Sequence, residues 1–263
     1  DIVSYNSALE YMVAVQLNCS FLILYSSFVS CSSMNNAGAL TVKIPKGGVD
    51  KVDILYPHIN VLLKRNIFTN CSTKTNGGAV QFNMHNKFIG LKEVYITRLL
   101  VAKCLFTLNR ALEAGGAISI VNCHRLKIAN CTFEHNYANR SGGSVYAYFV
   151  KVVKNMHSVY VSNKGGDSGG ALFYLYSKYV FNFHSYFKKN SAWEGGSLYI
   201  AYSETIKHIS CVFFFNQADY CGSAIYAFLG TSFVFNTSHA EGNKVMPDKD
   251  VSFKKLNTNL PTC

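Results

Sequence analysis

Acidic residues are scarce in this chain: 14 Asp and Glu stand against 25 Lys and Arg in 263 residues, for a formal net charge of +11. Charged side chains make up only 15% of the sequence, where an average soluble protein has roughly 25%. Acid–base or carboxylate-metal chemistry therefore has little to draw on. Proline occurs four times and tryptophan once. The longest apolar-looking stretch, Tyr11 to Val29, is broken by Gln16, Asn18 and several serines, so it falls short of the roughly 18 uninterrupted apolar residues of a membrane span. Nine cysteines include no CxxC pair and no Cys/His spacing of the zinc kind, so neither a metal nor a cofactor is expected. Lysines such as Lys43, Lys87, Lys127, Lys151, Lys178 and Lys207 are dispersed rather than clustered, which argues against a nucleic-acid partner.

What the chain has in quantity is glycine pairs, aromatics and asparagine. GGAV at Gly77, GGAI at Gly115, GGSV at Gly142, GGAL at Gly169 and GGSL at Gly195 are five copies of one tetrapeptide, with AGAL at Ala37, GSAI at Gly222 and GNKV at Gly242 as degenerate ones. Upstream of each lies an aromatic followed three residues later by Asn or Cys, from FVSC at Phe28 to FVFN at Phe233. Between anchors the sequence is rich in Val, Ile, Tyr, Phe and Thr and shows no sustained helical periodicity, so it reads as short strands joined by Gly and Asn turns. A repeat near 27 residues of this kind predicts an all-β, right-handed parallel β-helix of about eight coils, pectin-lyase-like, with one repeat per coil. Equivalent positions then form ladders. Three residues after the anchor come Leu40, Val80, Ile118, Val145, Leu172, Leu198, Ile225 and Val245, all aliphatic, which predicts an inward core row. Asn109, Asn136, Asn163, Asn190, Asn216 and Asn236 should stack at a turn, each tolerating a left-handed backbone. The glycine pair provides either positive φ or close coil-on-coil approach. Residues 1–27 are expected to form an irregular N-terminal cap, 28–246 the repeats, and 247–263 a polar C-terminal segment.

The GG[AS][ILV] and FxxN tetrapeptides, paired and in phase from Phe28 to Val245, resemble the repeat of the chlamydial-type polymorphic outer membrane protein family, also found in protist surface proteins. The resemblance implies a cell-surface β-helix with an adhesive role. It does not extend to a C-terminal autotransporter barrel. Sequons at Asn18, Asn70, Asn130, Asn139 and Asn236 favour a secretory route to the cell surface or beyond; Asn139 is the first choice for a glycan, and Asn236, placed in the internal ladder, the last.

Register puts Cys31 beside Cys71 and Cys104 beside Cys131 in consecutive coils, with Cα atoms about 4.8 Å apart, within disulfide range. Two readings stay open: inter-coil disulfides, or buried free thiols, since in-register neighbours point their side chains alike. Cys263 is a candidate for an intermolecular bond.

Polysaccharide-cleaving β-helices need convergent carboxylates, and the one cluster the register yields is Glu113, Arg140 and Asp167. A surface ion ladder is the preferred reading, so the chain is not expected to be an enzyme. The position after the aliphatic row should face outward, and it holds Thr41, Gln81, Ser119, Tyr146, Phe173, Tyr199, Tyr226 and Met246; two residues further come Tyr148, Leu175, Ala201 and Phe228. Such a flank could be covered by the chain itself, could stack sugar rings, or could be a protein interface. Low charge and aromatic content favour the last: Tyr146, Tyr148, Phe173, Leu175, Tyr199, Tyr226 and Phe228 are the expected contacts for a protein partner or a second copy. The function so read is a non-enzymatic structural or adhesive β-helix, the alternative being one that binds or cleaves carbohydrate, and a glycan partner stays open.

Overall fold

The structure, a computed structural model, describes residues 2–3, 9–12, 20–43, 59–83 and 96–245. Every strand pairing among them is parallel: nine strands stack in one sheet, eight in a second and twelve in a third, and no helix occurs among the described residues. This is a parallel β-solenoid. One turn shows how it is built. The strand Ile118–Ala129 bends at Asn122, Thr132–Glu134 crosses to the nine-stranded sheet, and Tyr137–Ala138 lies in the eight-stranded one. A glycine turn at Gly142 then returns the chain to Val145, directly over Ile118.

The two glycines of each pair do different work. The first, as at Gly142 with φ +66°, turns the corner in the left-handed region. The second has the coils pressed against it: a Cβ on Gly143 would lie 2.0 Å from the carbonyl oxygen of Gly170 in the next coil. Turn and close approach are thus both needed, one per glycine.

The aliphatic row runs in register through Leu40, Val80, Ile118, Val145, Leu172, Leu198 and Ile225 and is buried throughout. Beside it Phe28, Phe68, Phe106, Phe133, Tyr160, Phe187 and Phe213 stack with ring centroids 4.8–4.9 Å apart, each burial stabilising the fold by roughly 1.5–3 kcal/mol. At the next corner the asparagines form a continuous amide ladder. Asn136 Nδ2 donates to Asn163 Oδ1 at 3.0 Å and to the Phe106 carbonyl at 3.0 Å, while Asn163 Oδ1 also accepts the Asn136 backbone N–H at 3.0 Å. The same bonding repeats from Asn109 to Asn243. Each ladder amide has hydrogen-bond partners at both its nitrogen and its oxygen, which offsets the cost of burying a polar row.

Three sequence expectations need correcting here. Asn236 is not in the amide ladder: it pairs with Ile209 and is exposed, and Asn243 takes the ladder's last described place. For the same reason Val245 pairs with Ala218 rather than joining the aliphatic row, and Ala240, not Phe233, stands opposite Phe213. Of residues 1–27, expected as a cap and irregular first coil, the described ones form short strands. Ile2–Val3 pairs with Ser27 and Phe28, Leu9–Met12 with Leu40–Lys43, and Ser20–Leu24 with Asn60–Lys64. The segment 247–263, together with Met246, Cys263 and Asn18, lies outside the described residues.

Cys31, Cys71, Cys104 and Cys131 are free thiols, so of the two open readings the structure has the buried thiols and not the inter-coil disulfides. In-register strands aim both sulfurs of a pair the same way, side by side as hydrogen-bonded thiols that also reach the backbone: Cys131 Sγ lies 3.4 Å from the Val101 and Ala129 carbonyls and accepts the Cys104 N–H at 3.5 Å. Ser158, Ser185 and Ser238 do this same work with hydroxyls in other coils. Cys31 and Cys71 occupy the corner that asparagine fills further along, and the Cys71 N–H is taken by Asn109 Oδ1 at 3.0 Å. Burial raises the Cys31 thiol and pushes Cys71 up to about 12. Cys123 and Cys211 are also free and buried, whereas Cys221 is disulfide-bonded.

Candidate functional site: an aromatic flank beside a polar corner

The expected flank is assembled by the register. Tyr146, Phe173, Tyr199 and Tyr226 follow one another in successive coils with ring centroids 5.1, 5.0 and 5.1 Å apart. In the preceding coils the same row carries Thr41, Gln81 and Ser119, all buried. The row does not face solvent as freely as strand alternation predicts: Phe173 and Tyr226 are only 8% and 7% exposed, and Tyr146 and Tyr199 are half-buried. The charged turn preceding the glycines lies close to it, bringing Arg140 near Tyr146 and Glu194 near Tyr199 and Tyr226. Burial first, and then the Glu194 charge, push the Tyr199 hydroxyl up to about 12. In the second row Tyr148, Leu175 and Phe228 are half-buried and Ala201 is buried.

A third row, which the sequence reading missed, is the exposed one. Phe149, Tyr176, Tyr202 and Leu229 stand at the bend of the long strands and are 48%, 39%, 44% and 50% exposed. All four have positive φ, from 50° to 55°, a conformation that costs a side chain with a Cβ about 1–2 kcal/mol. Phe149 stacks on Tyr176 at 4.9 Å and Tyr176 on Tyr202 at 4.7 Å, and Tyr148 meets Phe149 edge-on at 4.4 Å. The signal was there to be counted: each of the four stands seven residues after its glycine anchor, where the preceding coil has Asn122.

The other corners are also left-handed but mostly polar, with Arg65, Lys103, Asn130, His157 and His184 along one and Ser30, Asn70, His135, Ser162 and Lys189 along another. Among the described residues, only at the flank do aromatics hold this strained position in three coils running.

Glu113, Arg140 and Asp167 do line up on successive coils, and Glu194 extends the row. Arg140 Nε lies 3.5 Å from Asp167 Oδ2 with both side chains exposed, and Asn76 Nδ2 donates to Glu113 Oε2 at 2.6 Å. Burial raises the Glu194 carboxyl above its ordinary range, opposed by a hydrogen bond from Ser168. That serine belongs to the stretch Gly166-Asp167-Ser168-Gly169-Gly170, which taken alone fits the G-x-S-x-G nucleophile pattern. Here Ser168 instead bridges Ser141 and Glu194 as part of the parallel ladder, with no strand-to-helix elbow among the described residues. Among the described residues no three His, Cys, Asp or Glu side chains are grouped to hold a metal ion. Of the sequons, Asn70, Asn130, Asn139 and Asn236 are all exposed, Asn70 and Asn130 at left-handed corners.

These features define a parallel β-solenoid repeat protein whose outer surface carries an aromatic flank. No protein-family model, curated protein or solved structure matches the chain.

Proposed function

We propose that this protein is a non-enzymatic structural or adhesive component, secreted or displayed at a cell surface, that binds a protein partner through its aromatic flank, the first candidate being a second copy of itself. The observation that carries this reading is the exposed row Phe149, Tyr176 and Tyr202, ring on ring at 4.9 and 4.7 Å in a strained backbone. A contiguous aromatic surface poor in charge has the composition of an interface core. Tyr146, Tyr148, Phe173, Leu175, Tyr199, Tyr226 and Phe228 form the floor of that surface, and the Phe149 row is its rim.

The finer fold reading, a right-handed pectin-lyase-like helix of about eight coils related to the polymorphic outer membrane protein repeats, belongs to the same proposal. So does glycosylation at Asn139, Asn130, Asn70 and Asn18, for which the exposed positions of the first three give room. The Glu113, Arg140, Asp167 and Glu194 row is assigned a structural role, because an exposed ion pair contributes at most about 1 kcal/mol and these side chains do not converge on an enclosed space.

The test is light scattering across a concentration series for the wild type and for Phe149→Asn/Tyr176→Asn/Tyr202→Asn. Asparagine suits a left-handed corner and stands there already at Asn122, so the variant should fold at least as well. Association of the wild type with a monomeric variant is the expected result. A wild type that stays monomeric at every concentration would remove self-association from the reading.

A further inference from the structure

Around the bend from the aromatic flank, the second half of the same long strands carries an opposite chemistry. Two outward columns run side by side: Arg98, Arg125, Val152 and Tyr179 in one, and Leu100, Lys127, Lys154, Phe181 and Lys207 in the other. Leu99, Leu126, Val153 and Val180, which alternate with them, point into the core and are buried. Up to Tyr179 and Phe181 the columns line a groove of about 670 Å³ in which Arg98, Arg125, Lys127 and Lys154 are all exposed.

The cations are placed against one another. Arg98 stands in register with Arg125 on the neighbouring strand, and Lys127 with Lys154, and like charges directly opposite on paired strands are destabilising. None of the four is ion-paired with a carboxylate among the described residues. The field reaches the adjacent His124, whose imidazole is held below its ordinary range by burial first and then by Lys151 and Arg125. Fourteen acidic residues are available in the chain, yet no described one is spent on relieving this repulsion.

We infer that this groove is a binding site for an extended anionic polysaccharide, carrying uronate or sulfate groups, laid along the solenoid axis. Rungs about 4.8 Å apart offer a cation at every coil from Arg98 to Lys154, and arginine forks match carboxylate and sulfate oxygens two at a time. Leu100, Val152, Tyr179 and Phe181 give the apolar floor that the C–H faces of sugar rings need. A single-stranded nucleic acid fits less well, because it requires free aromatic faces for its bases. Here Lys154 Nζ lies over the Phe181 ring at 6.0 Å and Lys178 Nζ over Tyr179 at 5.3 Å. The site shares no residue with the aromatic flank, so either proposal can fail alone.

The experiment is a titration of the full chain with a heparin decasaccharide, a neutral dextran oligomer, a single-stranded oligonucleotide and poly-glutamate, the last two matched to heparin in charge. It is repeated with Arg98→Gln/Arg125→Gln/Lys127→Gln/Lys154→Gln. A control of the same net charge, Lys103→Gln/Lys164→Gln/Lys189→Gln/Lys244→Gln, removes exposed cations elsewhere. Heparin should bind the wild type, and the groove variant should lose at least about tenfold in affinity while the control loses less than about twofold. The pair Arg125→Gln/Lys154→Gln, which leaves one cation in each facing pair, should fall between. Thermal melts of both groove variants should be no lower than wild type, since repulsion is relieved. Equal losses in groove variant and control would reduce the effect to bulk charge and overturn the site. Oligonucleotide or poly-glutamate binding as tight as heparin, dextran binding of similar strength, or no heparin binding at all would overturn the ligand class.

Discussion

Two rows of buried polar side chains run through this solenoid, and they are not equivalent. The corner ladder from Asn109 to Asn243 satisfies every amide it buries. The second row lies inside the aliphatic core: Asn155 Nδ2 donates to Asn182 Oδ1 at 3.1 Å, Asn182 Nδ2 meets His208 Nδ1 at 3.3 Å, and the row ends against Phe235. Tyr160 Oη donates to Asn155 Oδ1 at 3.0 Å at one end, but His208 Nε2 at the other has no partner among the described residues. The corner ladder gains because it closes backbone bonds that the turn would leave open. The interior row closes almost none, and it ends on a ring that cannot afford a proton. Location relative to the backbone, more than burial or residue type, decides whether a polar row stabilises this fold.

The largest expected effect comes from breaking the corner ladder. Asn163→Ala would orphan the Asn136 N–H and the Phe133 carbonyl and cut two amide–amide links. At roughly 1–3 kcal/mol per buried orphan, urea melts should show a loss on the order of 3–5 kcal/mol.

The interior row is tested by pH. Burial lowers the His208 pKa from 6.5 to about 3, so the folded protein takes no proton at this ring over a range in which the unfolded chain does. Its contribution to stability is therefore level above pH 6.5 and declines below it by about 1.4 kcal/mol per pH unit, down to about pH 3. His208→Asn, which continues the row with an amide, should flatten that slope in melts between pH 6.5 and 4; an unchanged slope would mean that other groups govern acid stability.

The smallest effect sharpens the comparison from the side of the backbone. Cys131 accepts a corner N–H as serines do in other coils, so Cys131→Ser should change stability by less than about 1 kcal/mol, whereas Cys131→Ala should cost more. In the wild type, thiol alkylation at Cys104 and Cys131 should require unfolding.

Much of this was legible in the sequence because a solenoid writes its contacts at a fixed interval. The glycine pairs, the aliphatic row from Leu40 to Ile225 and the aromatic stack up to Phe213 could be aligned by counting. The last turn misled because FVFN stands at the usual distance from Gly242. Yet a step of 27 from Asn216 reaches Asn243, and spacing from a secure neighbour was the better guide than the motif itself. Asn155, Asn182 and His208 are also evenly spaced, but their differing residue types hid the row. The cation groove was obscured because two columns on adjacent strands look like scattered lysines when read along the chain.

The bend that carries Phe149, Tyr176 and Tyr202 also accounts for the unequal repeat lengths. Lys43 pairs with Asn83 and Asn83 with Val121 on one side of it, while Ile59 pairs with Ile96 and Ile96 with Cys123 on the other. Residues 44–58 and 84–95 therefore enter the chain at the very point where later coils spend a single residue, Asn122 or Phe149. For a lineage that lengthens or shortens its repeats, this corner is the seam: sequence can be added or deleted there while the glycine, phenylalanine and asparagine ladders keep their count. A designer grafting a loop onto this solenoid would cut at the same place.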